Sequence, residues 1–172
     1  ISSEKVQVIT PKLNIDVKKH YKPFDRFMTL FFYPAGPMIY KNHKIIVEAC
    51  RILHIKSVEN YKVFFTINGD ENKLVKKLKE VIELENLPIE FIGQIDEQTV
   101  YNYYSRSILL FPSFLESFGL PLLEARLHNC PILASDCHFS TEVLSGYDKA
   151  FYFNPYEKKD LAMKMLHQIQ NK

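Results

Sequence analysis

Short apolar runs alternating with stretches of helical period restrict this chain more than any other feature. The runs lie at 27–33, 62–67, 89–92, 108–111, 131–135 and 150–153, rich in Phe, Leu, Ile and Val and too short to be buried helices. Between the first two, 43–56 carries Ile45, Ile46, Ala49, Ile52 and Leu53 at helical spacing. The stretch 71–85 turns Leu74, Leu78, Val81 and Ile82 inward and Lys73, Lys76, Lys77 and Lys79 to solvent. Asp96 caps a helix running to about Ser107, and Pro121 opens another through Leu122, Leu123, Ala125 and Leu127. A short helical turn at 140–144 and a closing helix at 160–169, through Leu161, Met165, Leu166 and Ile169, complete the pattern. Strands that are apolar on both faces need cover on both. The alternation therefore predicts an α/β fold, a Rossmann-like open parallel sheet with helices on both faces.

Residues 1–24 hold one short apolar alternation, at 6–9, and then a polar stretch with Pro11 and Pro23. They read as an edge strand and a linker from a missing N-terminal half, leaving 25–172 as the domain proper. The opening ISSEK has neither an initiator Met nor a signal-peptide pattern, which leads us to expect an excised piece of a longer protein. A length of 172 residues fits one core. The formal net charge of +2 is too small for a nucleic-acid binder, and the apolar tract at 27–39 is cut by Pro34, Gly36 and Pro37, so no transmembrane span is expected. Cys50, Cys130 and Cys137 are odd in number and far apart, which argues against a disulfide framework and for a reducing, cytoplasmic compartment.

The chemistry concentrates at 112–129. The buried run at 108–111 stops at Pro112, and a loop carrying Glu116, Ser117, Phe118 and Gly119 leads into the helix opened by Pro121. The first amides of a helix lack partners and meet the positive end of its dipole, so the segment 118–120 suits an anion. Glu116 and Glu124 flank that spot and would repel a phosphate placed on them, but carboxylates accept hydrogen bonds well from sugar hydroxyls. A ligand with phosphate in its middle and a polyol at each end, such as a nucleoside-diphosphate sugar, satisfies all of these features. No D-x-D, G-x-G-x-x-G or Walker loop is present. His128, Cys130, Cys137 and His138 lack tight zinc spacing, and Tyr101, Tyr103 and Tyr104 read as packing against the sheet.

The run ESFGLPLLE at 116–124 resembles the E-x7-E signature of family 4 of the retaining glycosyltransferases, and Ala125, Pro131, Ala134, Ser135 and Asp136 resemble its continuation. Lys41, Asn42 and His43, ahead of the helical segment with Glu48 and Ala49, resemble that family's basic K-G or K-N element. The likeness runs from about Phe31 to the C-terminus and implies the C-terminal, donor-binding half of a two-domain GT-B fold. It implies that Glu116 holds hydroxyls of the transferred sugar and that Lys41 meets the diphosphate, the two acting as the catalytic pair. The amides of Phe118, Gly119 and Leu120 would touch sugar and diphosphate, Glu124 would hold the ribose, and the turn Gly93, Gln94 and Ile95 would hold the base. The substrate implied is a nucleoside-diphosphate sugar, with no metal or other cofactor and no nucleic acid. The partner implied is an N-terminal acceptor domain of the same chain, through which a cytoplasmic enzyme could lie against a membrane. One departure stands out. The basic residue usually found five positions before the lysine is Gly36, which leaves Arg106 and Arg126 as candidate substitutes.

Three other functions fit parts of the pattern. A glycosidase acid and nucleophile pair needs carboxylates about 5 to 10 Å apart across a scissile bond, whereas both acids here come from one connection. A non-catalytic nucleotide-binding or regulatory module could use the same fold, as could a related GT-B enzyme such as a sugar-nucleotide epimerase. The fragment alone is expected to bind nucleotide weakly and to catalyse nothing.

Overall fold

The computed structural model describes residues 28–171; the edge strand and linker expected at 1–24, and Phe27, lie outside the described residues. The strands are β1 (Thr29–Tyr33), β2 (Tyr61–Phe65), β3 (Ile89–Phe91), β4 (Ile108–Phe111), β5 (Ile132–Ser135) and β6 (Ala150–Phe153). They form one sheet in the order β3-β2-β1-β4-β5-β6, and every pairing is parallel. The helices are α1 (His43–Ile55), α2 (Lys73–Leu84), α3 (Glu97–Tyr104), α4 (Leu120–Leu127), α5 (His138–Val143) and α6 (Lys158–Gln170), with a single 3-10 turn at Ile39–Lys41. Right-handed crossovers carry α1 and α2 over one face and α3, α4 and α5 over the other. The contacts agree: α1 packs against α2 and α6, while α4 packs against α3 and α5. The expected Rossmann-like sheet with helices on both faces is the observed one.

Burial follows position in the sheet. Every residue of β1, β4 and β5 is buried, because these central strands are covered on both faces. At one edge, Glu90 of β3 is exposed and pairs with Lys62 of β2 at 2.5 Å. At the other, only Phe153 of β6 is buried. The expected tyrosine packing is present: Tyr103 stacks on Phe32 with centroids 4.4 Å apart, and Tyr104 is buried.

Local capping corrects one boundary. Glu71 does not begin a helix; its carboxylate accepts the amides of Asn68 (2.5 Å), Gly69 (3.0 Å) and Asp70 (3.1 Å). Asn72 then caps α2 by accepting the Val75 amide at 3.0 Å. This start makes Val75 a core residue and leaves Leu74 half-buried, and it lays Lys79 over the Phe91 ring rather than in open solvent.

The strand order reverses between β1 and β4, and the loops leaving those strands are tied together by side chains. Asn42 takes the left-handed conformation at φ 55°, which Asn tolerates better than most residues. Its buried amide donates to the carbonyls of Pro112 (3.2 Å) and Pro155 (3.1 Å), at the ends of β4 and β6. The Tyr33 hydroxyl donates to the Lys41 carbonyl at 2.5 Å and lies 3.2 Å from Ser113 Oγ. The Phe114 amide donates to the Tyr40 carbonyl at 2.9 Å. Replacing Asn42 by Ala removes two buried hydrogen bonds and strains the left-handed backbone, so urea denaturation should show a loss of about 2–4 kcal/mol. Asn42→Gly should recover only the backbone share.

Candidate functional site

Ligands of open α/β sheets bind beyond the carboxyl ends of the strands where their order reverses, and here that point lies between β1 and β4. Lys41, from the 3-10 turn after β1, and Glu116, from the loop after β4, meet there. Lys41 Nζ lies 2.6 Å from Glu116 Oε1, and the side chains are only 14% and 11% exposed. Two residues 75 apart in the sequence are therefore in contact. Ser113 sits beneath them: its carbonyl accepts the Ser135 hydroxyl at 2.8 Å, and Ser140 donates in turn to the Ser135 carbonyl.

Beyond Glu116 the chain enters α4. Gly119 is the N-cap at φ 78°, a left-handed backbone that favours glycine, and a Cβ there would crowd Leu122 Cδ1 at 3.2 Å. No side chain caps this helix. Among the described residues no backbone carbonyl accepts the amides of Phe118, Gly119 or Leu120. These are the donors a bound anion would use.

Glu124 stands one turn into α4 with a different partner, accepting from the Tyr104 hydroxyl at 3.1 Å. Burial raises its carboxyl above the usual range, partly offset by that hydrogen bond.

On the β1–β2–β3 side a cleft of about 430 Å³ is lined by Gly36, Thr66, Asn68, Glu71, Gln94 and Ile95. Gln94 and Ile95 of the expected base-binding turn thus face the same opening as the β1 loop, while Gly93 is not part of its lining. Gly93 is held at φ 68° by a bond from its amide to the Ile67 carbonyl at 3.2 Å, and a Cβ there would lie 2.8 Å from Asn68 Oδ1.

The candidate substitute cations are elsewhere. Arg126 lies towards the C-terminal end of α4, where it donates to the Val143 carbonyl at 2.8 Å and covers the Tyr147 ring. Arg106 follows α3, lies over the Tyr103 ring, and lines a cleft with Thr29, Ile108 and Pro131 at the amino ends of the strands. Both helices run antiparallel to the strands, so their ends return to the edge opposite the site. Neither arginine replaces the cation missing at Gly36. Among the described residues no cluster of three or more His, Cys, Asp or Glu could hold a metal ion.

Sequence reasoning singled out His43 only as part of the basic element. The residue is 4% exposed; its ring packs 4.7 Å from Tyr33 and 5.0 Å from Phe65 between centroids and leaves Nε2 without a hydrogen-bond partner among the described residues. Burial is the main cause that lowers its pKa to about 4, so the folded chain holds it neutral. No periodicity marked it, because His at the first position of a helix ordinarily faces solvent.

Three comparisons bear on the site. A family model described as "Glycosyl transferases group 1" matches residues 18–172. The O-antigen chain mannosyltransferase B of Escherichia coli is 26% identical over 133 residues, covering 76% of this chain and 34% of the relative. The O-antigen chain mannosyltransferase RfbU of Salmonella typhimurium is 32% identical over 93 residues, covering 52% of this chain and 26% of the relative. Among solved structures, a glycosyltransferase from Rickettsia africae superimposes with a TM-score of 0.72 at 19% identity, over 83% of this chain and 38% of that one. An Anabaena protein solved in complex with UDP and glucose does so with a TM-score of 0.71 at 18% identity, over 84% of this chain and 40% of that one. This chain thus spans less than half the length of each, and the structural likeness is one of fold.

Neutral His43 makes stability depend on pH. The unfolded chain binds a proton on His43 below about pH 6.5 and the folded chain only below about pH 4, so stability is full above the first value and falls as pH drops to the second. Denaturation midpoints should show a loss of about 3 kcal/mol across that window that is absent from His43→Leu.

Proposed function

Because this chain belongs to the group 1 glycosyl transferases, we propose that it is the donor-binding half of a retaining GT-B enzyme, moving a hexose-type sugar from a nucleoside diphosphate to an acceptor. The observation that carries this reading is the meeting of Lys41 and Glu116 where strand order reverses, beside the uncapped start of α4. In the transfer, the bond between the anomeric carbon and the β-phosphate oxygen breaks and its electron pair leaves on the diphosphate. The acceptor oxygen bonds to the anomeric carbon on the same face, and its proton passes to the departing phosphate oxygen. Negative charge therefore grows on the leaving oxygen.

Lys41 and the amides of Phe118, Gly119 and Leu120 would meet that charge, already oriented by the ties between the two loops. In this reading they do so without a metal cofactor. Glu116 would accept hydroxyls of the sugar. Glu124, oriented by Tyr104, would accept those of the ribose, and Gly93, Gln94 and Ile95 would border the base. The acceptor would be held by an N-terminal domain of the same protein, so the chain alone would bind nucleotide and transfer nothing. The unpaired thiols of Cys50, Cys130 and Cys137 suit a reducing compartment such as the cytoplasm.

Calorimetric titration with UDP, GDP and ADP tests this. The chain should bind at least one of them, and Lys41→Ala should lose roughly tenfold or more in affinity with the charged hydrogen bond. Glu124→Ala should also bind more weakly. Equal affinity in that variant would remove the ribose assignment, and no binding of any nucleotide would remove the reading.

A further inference from the structure

The groups that the proposed function assigns to different parts of one donor are bound to each other. Lys41 Nζ lies 2.6 Å from Glu116 Oε1, both side chains are largely withdrawn from water, and neither has another side-chain hydrogen-bond partner among the described residues. The loops that carry them are joined by the Phe114 amide on the Tyr40 carbonyl, by Asn42 on Pro112 and by Tyr33 between Lys41 and Ser113. A ligand is therefore met by movement of the two side chains rather than of the loops.

A bare diphosphate approaching this site meets an ammonium already neutralised by a carboxylate. It must draw Lys41 away and leave Glu116 half-buried without a partner, or bind beside a carboxylate that repels it. A donor that still carries its sugar meets neither penalty, because its hydroxyls donate to Glu116 as Lys41 turns to the phosphates. Resting on the reading of this site as a donor site, we infer that Glu116 determines specificity for the nucleotide with its sugar attached. Once the sugar has left, Glu116 recaptures Lys41 and weakens the hold on the nucleoside diphosphate, which speeds its release.

The test compares the affinities of UDP, UDP-glucose, GDP, GDP-mannose and UMP for wild type, Glu116→Gln, Lys41→Met and the double variant. Wild type should bind the sugar nucleotide more tightly than the matching diphosphate. Glu116→Gln should bind the bare diphosphate about tenfold more tightly than wild type and lose the preference for the sugar. The gain should vanish in the double variant, which a merely structural effect of the substitution would not produce, and should be much smaller for UMP. Bare diphosphate bound no better by Glu116→Gln than by wild type overturns this inference and leaves the donor-site reading standing. If no nucleotide binds any of the four proteins, both fall.

Discussion

Where strand order reverses, no helix crosses between β1 and β4, and the loops leaving them set off towards opposite faces of the sheet. A crevice there is useful only if something holds its walls at a fixed distance. In this chain the holding is done by buried polar side chains. Asn42 bonds to two carbonyls at the ends of β4 and β6, and Tyr33 reaches from the last position of β1 to both Lys41 and Ser113. Each bond satisfies a group that would otherwise be orphaned at the sheet edge, so the ties stabilise the fold as they set the site. The chemistry of Lys41 and Glu116 depends on them.

The electrostatics of the edge follow from the same arrangement. Among the described residues, the amides of Phe118, Gly119 and Leu120 have no backbone acceptor, while those of Asn68, Gly69 and Asp70 are already taken by the Glu71 carboxylate. Of these two groups of donors, only the one at α4 is open to a ligand's anion, and it is the one beside the cation. His43 adds no charge, since burial keeps it neutral. Among the described residues, one ammonium meets Glu116 just ahead of the row of amides, and Glu124, one turn into α4, is an acid of different character. Glu116 is paired with a cation, whereas Glu124 is paired with a hydroxyl and has a raised pKa.

Alternation of apolar runs and helical segments carries most of the architecture into the sequence, and the six strands fall where that pattern puts them. What it could not carry is pairing at a distance. The spacing of Glu116 and Glu124 is visible along the chain, but the contact between Glu116 and Lys41 depends on β1 and β4 being neighbours, which no local pattern states. The bond from Tyr104 to Glu124 likewise follows from α3 packing on α4. Glu71 departs from the helical expectation for the opposite reason. Its residue type suits a helix, and the three loop amides outcompete that propensity. Arg106 and Arg126 showed as charges in the sequence, but the antiparallel run of their helices carries both to the far edge.

Gly36 gives the Lys41–Glu116 pair its weight. Its backbone does not require glycine: it has no positive φ, and a Cβ there would meet only the flexible end of Met38, at 3.1 Å from the sulfur. A basic side chain at that position would enter the cleft it lines and supply a second positive charge. With two cations, a carboxylate neutralising one of them would alter the field at a diphosphate only in part. With glycine there, and with the two arginines occupied elsewhere, Lys41 is, among the described residues, the cation that the proposed reading would set against the diphosphate. In the proposed reading, whether its ammonium faces Glu116 or a phosphate would decide whether the crevice attracts an anion, so glycine at position 36 would make this ion pair the controlling one.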